Sequence, residues 1–477
     1  MIRTIRPWFD CDRDAALMKM LSAEAEMPFE GAAAAVLRHF APRRIRNDEY
    51  TLFSSCSAMP LFDWAHEACD VPYQYVIKAA DRGDLVNLLR ELDGLFRKKL
   101  LTALSAPKGT RVMIASSPTD AFRMAAVLFA LECNGEPMRW LVPSIGEPGT
   151  DMPRGMRGHI MRAGEDHGVA TLPDNIEVVE ISMRKPRGEL IGEAEIAETF
   201  RRHQQAPGRR PIGVASCGDG TGAAGPLAFQ ADMIDATQMR VRASRIGEYL
   251  KHGYPTVVAG STFLGGPYRS GALLVPPNTF SASVLQQARA VLADETTLNW
   301  KTGSGFSRAF ANMLRWMPGL GALEVLAALG SKADIRMAQM TMELRAFLGE
   351  YPDFEVIESR PEQHVAFCGR DSGIVPFAVR KGKHGWMSLP DMLGLYERLA
   401  EAKVLLGLPM VIGARAALRL SIAAGDISMG TIARKLDRLA DVLGKMGYQR
   451  KGTGISARSN AAQAARLMGL ADGICLQ

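Results

Sequence analysis

The 477-residue chain is long enough for a large domain and one or two smaller lobes. Hydrophobic residues make up 47% and charged residues 23% of it, and no run approaches the roughly 20 apolar residues of a bilayer span, so no membrane partner is expected. The net charge is only +6 and the basic residues are scattered without interleaved aromatics, which excludes nucleic acid as an expected partner.

The seven cysteines lie far apart and show no metal-site spacing with histidine. Neither a disulfide framework nor a metal site is therefore predicted. The first ten residues carry charges where a signal peptide would need an apolar run. We expect a cytoplasmic protein.

The hydrophobic rhythm divides the chain into three parts. Residues 1–105 show helical spacing in several pieces, which predicts an N-terminal arm and helices of a small lobe. Over 106–325, short apolar runs alternate with helical ones, as expected for a large α/β domain with a mainly parallel sheet. The predicted strands of this domain are 111–115, 139–143, 176–181, 212–216, 233–236 and 256–259.

Residues 326–477 have a different pattern. Fewer strand-like runs, at 354–357, 374–379 and 417–422, are accompanied by helical stretches, which predicts a small α+β C-terminal domain with a terminal helix.

A strand-to-helix turn in the large domain contains Ser116, Ser117 and Thr119. Such a turn directs backbone N–H groups and the positive end of the helix dipole outward, an arrangement suited to a phosphate. The alternative is an ordinary helix N-cap formed by Ser117 or Thr119.

A second strand, 233–236, carries Asp235 and is followed by Gln238 at the edge where α/β sheets bind ligands. A third segment, 257–276, contains Gly260-Ser261-Thr262 and then Phe263-Leu264-Gly265-Gly266-Pro267, followed by Ser270-Gly271-Ala272-Leu273-Leu274. This third segment resembles that of bacterial fold type I enzymes dependent on pyridoxal 5'-phosphate (PLP), in which Gly-Ser-Lys precedes an aromatic residue, Gly, Gly and Pro. The similarity extends over roughly 50–425.

The resemblance implies an aminotransferase-like fold and a set of site residues. Asp235 then pairs with the pyridine nitrogen, and Ser116, Ser117, Thr119, Gln238 and Ser261 help to bind the cofactor. His159 is a candidate for contact with the ring, and Arg419 for gripping a substrate carboxylate. A structural role is the alternative for both residues.

Two departures alter this site. Thr262, 27 residues after Asp235, stands at the position of the Schiff-base lysine, and a hydroxyl forms no imine. Pro118 stands where the relatives have a glycine, and proline has no N–H to donate. Lys301 is the candidate for a Schiff-base lysine at another position. The structural alternative for Thr262 is that its hydroxyl caps the turn in which it lies.

Three functions remain open. The first is a diverged enzyme that binds PLP or pyridoxamine 5'-phosphate (PMP) weakly and without a covalent bond, and acts on a small amino- or carboxylate-bearing metabolite. The second is a non-catalytic subunit that completes the site of a lysine-bearing partner, since fold type I sites form at a dimer interface. The third is an enzyme that uses the same cleft without a cofactor. We expect a homodimer, or a heterodimer with a homologue.

Overall fold

The structure is a computed structural model that describes residues 17, 44–46, 48–57, 61–81, 85–144, 151–162, 165–168, 172, 175–225, 231–267, 270–292, 306–382, 385–430 and 432–451. The strands are β1 (Arg44–Ile45), β2 (Thr51–Phe53), β3 (Leu61–Phe62), β4 (Arg111–Ala115), β5 (Met138–Ser144), β6 (His159–Arg162), β7 (Glu165–Gly168), β8 (Ile176–Ser182), β9 (Arg210–Ser216), β10 (Met233–Ala236), β11 (Thr256–Ala259), β12 (Gly271–Val275), β13 (Phe354–Val356), β14 (Ile374–Lys381), β15 (Gly385–Trp386), β16 (Val404–Ile412) and β17 (Arg415–Ser421). The helices are α1 (Asp63–Asp81), α2 (Leu85–Ala103), α3 (Pro118–Glu132), α4 (Asp151–Met156), α5 (Glu193–Gln205), α6 (Ala243–Lys251), α7 (Ala282–Val291), α8 (Phe306–Leu329), α9 (Ser331–Gly349), α10 (Pro361–Cys368), α11 (Leu389–Glu401), α12 (Ala424–Met429) and α13 (Ala433–Lys445).

A seven-stranded sheet lies within the predicted large domain, in the order β4-β12-β11-β10-β9-β5-β8. The pairs β11-β10, β10-β9, β9-β5 and β5-β8 are parallel, and only β12 runs antiparallel to its two neighbours. The prediction of a mainly parallel α/β sheet is confirmed.

Both faces of this sheet are buried. Alternate residues along a strand point to opposite sides, so a single strand contributes to a core on each face. On β12, Ala272 and Leu274 belong to one hydrophobic core, whereas Leu273 and Val275 belong to a second. Helix α3 packs against β12, β11 and β4 and contributes to the second core. This two-sided burial explains the continuous apolar runs in the sequence.

A second sheet has the order β13-β14-β17-β16-β2, and β15 pairs with β14. Helix α9 packs on β13 and β14, and α11 packs on β16 and β17, as expected for an α+β lobe. Three of its strands, β2, β15 and β16, were not predicted. Strand β16 contains Gly407 and Pro409, which a β-bulge between Gly407 and Met410 accommodates. Strand β2 pairs parallel to β16, so the N-terminal part of the chain supplies a strand to this sheet as well as helices.

The boundaries 105/106 and 325/326 stay predictions. Within the described ranges, every helix is too short or too polar to cross a lipid bilayer.

Candidate functional site

Strand register brings the three segments singled out in the sequence to one edge of the seven-stranded sheet. Ala115 at the end of β4 lies opposite Gly271, which in turn lies opposite Ala259 at the end of β11. On the next strand, Asp235 lies opposite Val257. The residues that follow β4, β10 and β11 therefore emerge at the same carboxyl edge, where α/β sheets bind ligands.

The turn after β4 forms a capped helix N-terminus. The Ser117 hydroxyl accepts a hydrogen bond from the Asp120 backbone N–H at 3.0 Å, so the N-cap interpretation is confirmed for Ser117. Asp120 is 2% exposed, and its Oδ2 accepts hydrogen bonds from the hydroxyls of both Ser116 and Ser117. The positive end of α3 thus already holds a carboxylate. Thr119, also buried, follows in the first helical turn.

Strand β12 packs directly on this turn. A Cβ atom added to Gly271 would overlap the carbonyl oxygen of Ser117, so only glycine allows the approach. The Trp316 indole N–H donates to the Gly271 carbonyl at 3.0 Å and fixes the start of β12. The position of the turn therefore depends on the sheet and on α8.

The Asp235 carboxylate is held rigidly at the end of β10. Its Oδ1 accepts from the backbone N–H of Thr237 at 2.9 Å and from the Thr237 hydroxyl at 2.7 Å. Its Oδ2 accepts from the Ser216 hydroxyl at 3.2 Å. Asp235 is only 7% exposed, so these bonds fix an acceptor group at the sheet edge.

Gln238 lies on the same edge and contacts the segment that follows β2, a strand of the second sheet. Its Nε2 donates to the carbonyl of Cys56 at 3.4 Å. Its Oε1 is buried and has no hydrogen-bond partner among the described residues. Because an amide oxygen only accepts, this atom is suited to a ligand that carries a donor.

Thr262 begins a short 3₁₀ turn, Thr262–Leu264, directly after Ser261. Its φ is +55°, a left-handed conformation that a β-branched residue rarely adopts. Its hydroxyl is buried and makes no hydrogen bond within the described part of the chain, so the structural alternative, a cap of its own turn, is not seen there. Ser261 is 4% exposed beside it.

Arg419 lies on β17 and its two terminal nitrogens donate to backbone carbonyls. Nη1 donates to Gly220 at 2.9 Å and Nη2 to Leu408 at 2.8 Å. These bonds join the loop after β9 to the β16–β17 hairpin, which supports the structural alternative for Arg419. A Cβ atom on Gly407 would lie 2.5 Å from Cys56 Sγ and 2.9 Å from Arg419 Cβ, so Cys56 and Arg419 both pack against this glycine.

No sequence pattern distinguished Arg240, which is fully buried two residues after Gln238. It donates to the carbonyls of Ser372 at 2.6 Å and Ile422 at 3.0 Å, and to the carbonyl and hydroxyl of Ser55 at 3.1 and 2.8 Å. Its guanidinium carbon lies 4.9 Å from the centroid of the Phe263 ring, next to Thr262. Burial lowers the pKa of Arg240 to about 10.

A second unforeseen residue is His364, which is completely buried below the loop that follows β9. Its Nδ1 donates to the Arg370 carbonyl at 2.7 Å. A Cβ atom on Gly218 would lie 2.5 Å from its Nε2, and Gly218 has φ +90°, so glycine is required there on two counts. Burial lowers the pKa of His364 to about 4, so the imidazole is neutral near pH 7.

Several solved structures are similar to this architecture. A cysteine desulfurase from Escherichia coli superposes with a TM-score of 0.53 at 15% identity, over 86% of this chain and 98% of that one. Oryza sativa TDC, solved with PLP and tryptamine, gives 0.52 at 14% identity, over 91% and 88%. A lysine-to-alanine mutant of C-DES, with glycine covalently linked to its PLP cofactor, gives 0.53 at 14% identity, over 84% and 99%.

The chain has the fold type I architecture. The predicted fold class is therefore confirmed, while identities of 14–15% carry no information on substrate. No protein-family model and no curated protein sequence matches the chain. His159 is the first residue of β6, which pairs antiparallel with β7. The ring contact predicted for His159 stays a prediction. Lys301 lies outside the described residues.

Proposed function

We propose that the chain binds PLP or PMP at the carboxyl edge of its seven-stranded sheet, without a covalent bond to residue 262. The proposal depends on three groups at this edge. The Asp235 carboxylate is fixed by hydrogen bonds. The Thr262 hydroxyl and Gln238 Oε1 are buried and have no hydrogen-bond partner among the described residues. A buried polar atom without a partner is costly, and a ligand that satisfies it recovers that free energy.

The residues present fit the two ends of such a cofactor unequally. Asp235 is suited to a protonated ring nitrogen, and a charge-assisted bond of this kind contributes about 1.5–3 kcal/mol. At the other end, the helix dipole of α3 attracts a phosphate, but Asp120 already accepts both serine hydroxyls there and Pro118 has no N–H. Weak, reversible binding is the expected result.

When bound, the cofactor supplies an electron sink for reactions at a carbon next to nitrogen. The chain's own residues orient it through Asp235 and present the Thr262 hydroxyl where the resemblance places a lysine. A hydroxyl does not replace the proton-transfer role of an amine near neutral pH. We therefore propose slow or partial chemistry on a small amino- or carboxylate-bearing metabolite. The C-DES lysine-to-alanine mutant, which carries PLP, supports retention of a cofactor in this fold after loss of a lysine.

The test combines absorbance titration with PLP, borohydride reduction and peptide mass spectrometry. Saturable binding without a reduced lysine adduct, lost in Asp235→Ala, supports the proposal. Asp232→Asn is a matched control, because Asp232 directly precedes the same strand and accepts from the Gly213 backbone N–H at 2.7 Å. An adduct on Lys301 replaces the proposal with a relocated lysine, and no binding at millimolar PLP refutes it.

Thr262→Lys provides a gain-of-function test of the same site. If position 262 faces the aldehyde carbon of PLP, this variant acquires a borohydride-reducible adduct at position 262 that the wild type lacks. An adduct elsewhere, or none in a variant that still binds PLP, would place the cofactor differently from the proposal.

A second candidate, a subunit that completes a dimeric site, is favoured by an exposed apolar stripe on α1. Trp64, Val71 and Tyr75 lie at helical spacing with relative exposures of 38%, 57% and 60%. A Cβ atom on Gly265 would lie 2.6 Å from the Trp64 ring, so this stripe begins beside the turn that holds Thr262. We propose that a second copy or a homologous chain covers α1. Sedimentation analysis tests this: Tyr75→Glu shifts a dimer to monomer, and a wild type that stays monomeric at high concentration refutes it.

A further inference from the structure

The backbone donors at the start of α3 are almost all committed within the chain. Pro118, the first residue of the helix, has no N–H. The Asp120 N–H donates to the Ser117 hydroxyl at 3.0 Å, and the Ala121 N–H donates to the Ser117 carbonyl at 3.1 Å. Of the first four helical residues, 118–121, three therefore offer no backbone donor to an anion.

The hydroxyl groups of the same turn are committed as well. A serine hydroxyl has only one proton to donate. Both Ser116 and Ser117 donate it to Oδ2 of Asp120, Ser117 at 2.7 Å. Asp120 is 2% exposed, so this carboxylate lies inside the turn and not in the solvent. The start of α3 thus contains an internal anion that uses the donors on which a bound anion would depend.

The packing of β12 keeps the turn in this arrangement. A Cβ atom on Gly271 would lie 2.3 Å from the carbonyl oxygen of Ser117, so the strand and the turn are in direct backbone contact. The Trp316 indole fixes Gly271 through a 3.0 Å hydrogen bond. Freeing the two serine hydroxyls would therefore require Asp120 to leave a buried, hydrogen-bonded position while the backbone stays in place.

A phosphate ester and the corresponding alcohol differ in what they need from such a turn. A phosphate monoester carries a charge of about −1.5 to −2 at pH 7 and has strong acceptor oxygens, so it requires several donors when it leaves water. A carboxylate beside it adds repulsion of like charges. An alcohol carries no charge and avoids both costs.

We infer that Asp120 makes the α3 end of the candidate site selective for a ligand with an uncharged group there. The ligand class is the alcohol form of the ring, pyridoxamine, in preference to its phosphate ester, PMP. The inference rests on the proposed function, which places the ring nitrogen at Asp235. It adds that the phosphate contributes nothing to affinity, because Asp120 already accepts the serine protons and supplies the negative charge at the helix start.

Isothermal titration calorimetry of the full chain with PMP and with pyridoxamine tests this, since the two ligands differ only in the phosphate. The wild type is expected to bind PMP no more tightly than pyridoxamine. Asp120→Asn keeps the size of the side chain and removes its charge, so PMP is expected to gain about 10-fold over pyridoxamine. Glu132→Gln is the matched control, because it removes one charge from an exposed residue about 18 Å along the same helix and leaves the ratio unchanged.

Pro118→Ala gives an independent measurement if Asp120→Asn does not fold. It restores an N–H at the first helical position, leaves the Asp120 contacts in place, and is also expected to increase the relative affinity for PMP. A wild-type preference for PMP of about 10-fold or more, or a ratio that neither variant changes, overturns the inference and leaves the proposed function intact.

The same titrations separate this inference from the proposed function. Asp235→Ala is expected to weaken both ligands equally, because both present the same ring nitrogen. Binding of pyridoxamine without binding of PMP supports the inference. If neither ligand binds the wild type, the proposed function fails and the inference fails with it.

Discussion

Replacing Thr262 by glycine is expected to stabilise the protein while removing a ligand contact. The residue has φ +55° and a buried hydroxyl with no partner among the described residues. Glycine adopts this backbone conformation without a steric penalty and has no hydroxyl to satisfy. The substitution therefore acts on the strain and on the unsatisfied group together.

The magnitude follows from four contributions. Relief of the left-handed conformation contributes about 1–2 kcal/mol, and removal of an unsatisfied buried hydroxyl about 1 kcal/mol or more. Loss of one partly buried methyl group costs about 0.8 kcal/mol, and the extra freedom of glycine in the unfolded chain about 0.5–1 kcal/mol. We expect Thr262→Gly to raise the free energy of unfolding by about 1 kcal/mol.

Urea unfolding followed by tryptophan fluorescence measures this change. Thr262→Val is the matched control, because it keeps the β-branched strain and removes only the hydroxyl, so its gain is expected to be smaller than that of glycine. If Thr262→Gly lowers the free energy of unfolding by 1 kcal/mol or more, the assignment of strain to this residue is wrong. A variant that is more stable and binds PMP less tightly is the combination expected of a functional residue.

Three further outcomes follow from the packing around the site. Gly271→Ala forces a Cβ atom into the backbone of Ser117 and is expected to lower the free energy of unfolding by about 3 kcal/mol, whereas Gly94→Ala, in open space within α2, raises it by up to about 1 kcal/mol; equal effects in urea unfolding would contradict the close approach. Arg240→Met leaves buried carbonyls without their donor and is expected to lower the unfolding free energy by about 3 kcal/mol, so a loss below 1 kcal/mol would show that these bonds contribute little. His364 has a pKa of about 4 in the folded state and about 6.5 when unfolded, so the unfolded chain binds the extra proton first: its contribution is complete above pH 6.5 and declines by about 3 kcal/mol as the pH falls to 4. Calorimetric melting across this range is expected to show a shallower pH dependence in His364→Asn, and an identical slope would contradict the buried neutral state.

The sequence by itself determined the α/β architecture and the order of the strands that form the candidate site. The predicted runs ending at Ala115, Ala236 and Ala259 end as strands at these residues. Each run is short and apolar because both faces of the sheet are buried, a local pattern that survives without knowledge of partners. The likeness of 257–276 to a fold type I segment was similarly contained in contiguous residues.

Only the tertiary structure decided what individual polar residues do. Arg240 and Arg242 look alike in the sequence, yet Arg240 is fully buried on carbonyls from distant segments, while the side chain of Arg242 is 47% exposed. The carbonyls that bind Arg240 belong to residues 55, 372 and 422. The left-handed backbone and unsatisfied hydroxyl of Thr262 were equally invisible, because they depend on which atoms surround the turn. Hydrophobic periodicity is encoded by neighbours in the chain, whereas hydrogen-bond satisfaction is set by groups that meet only after folding.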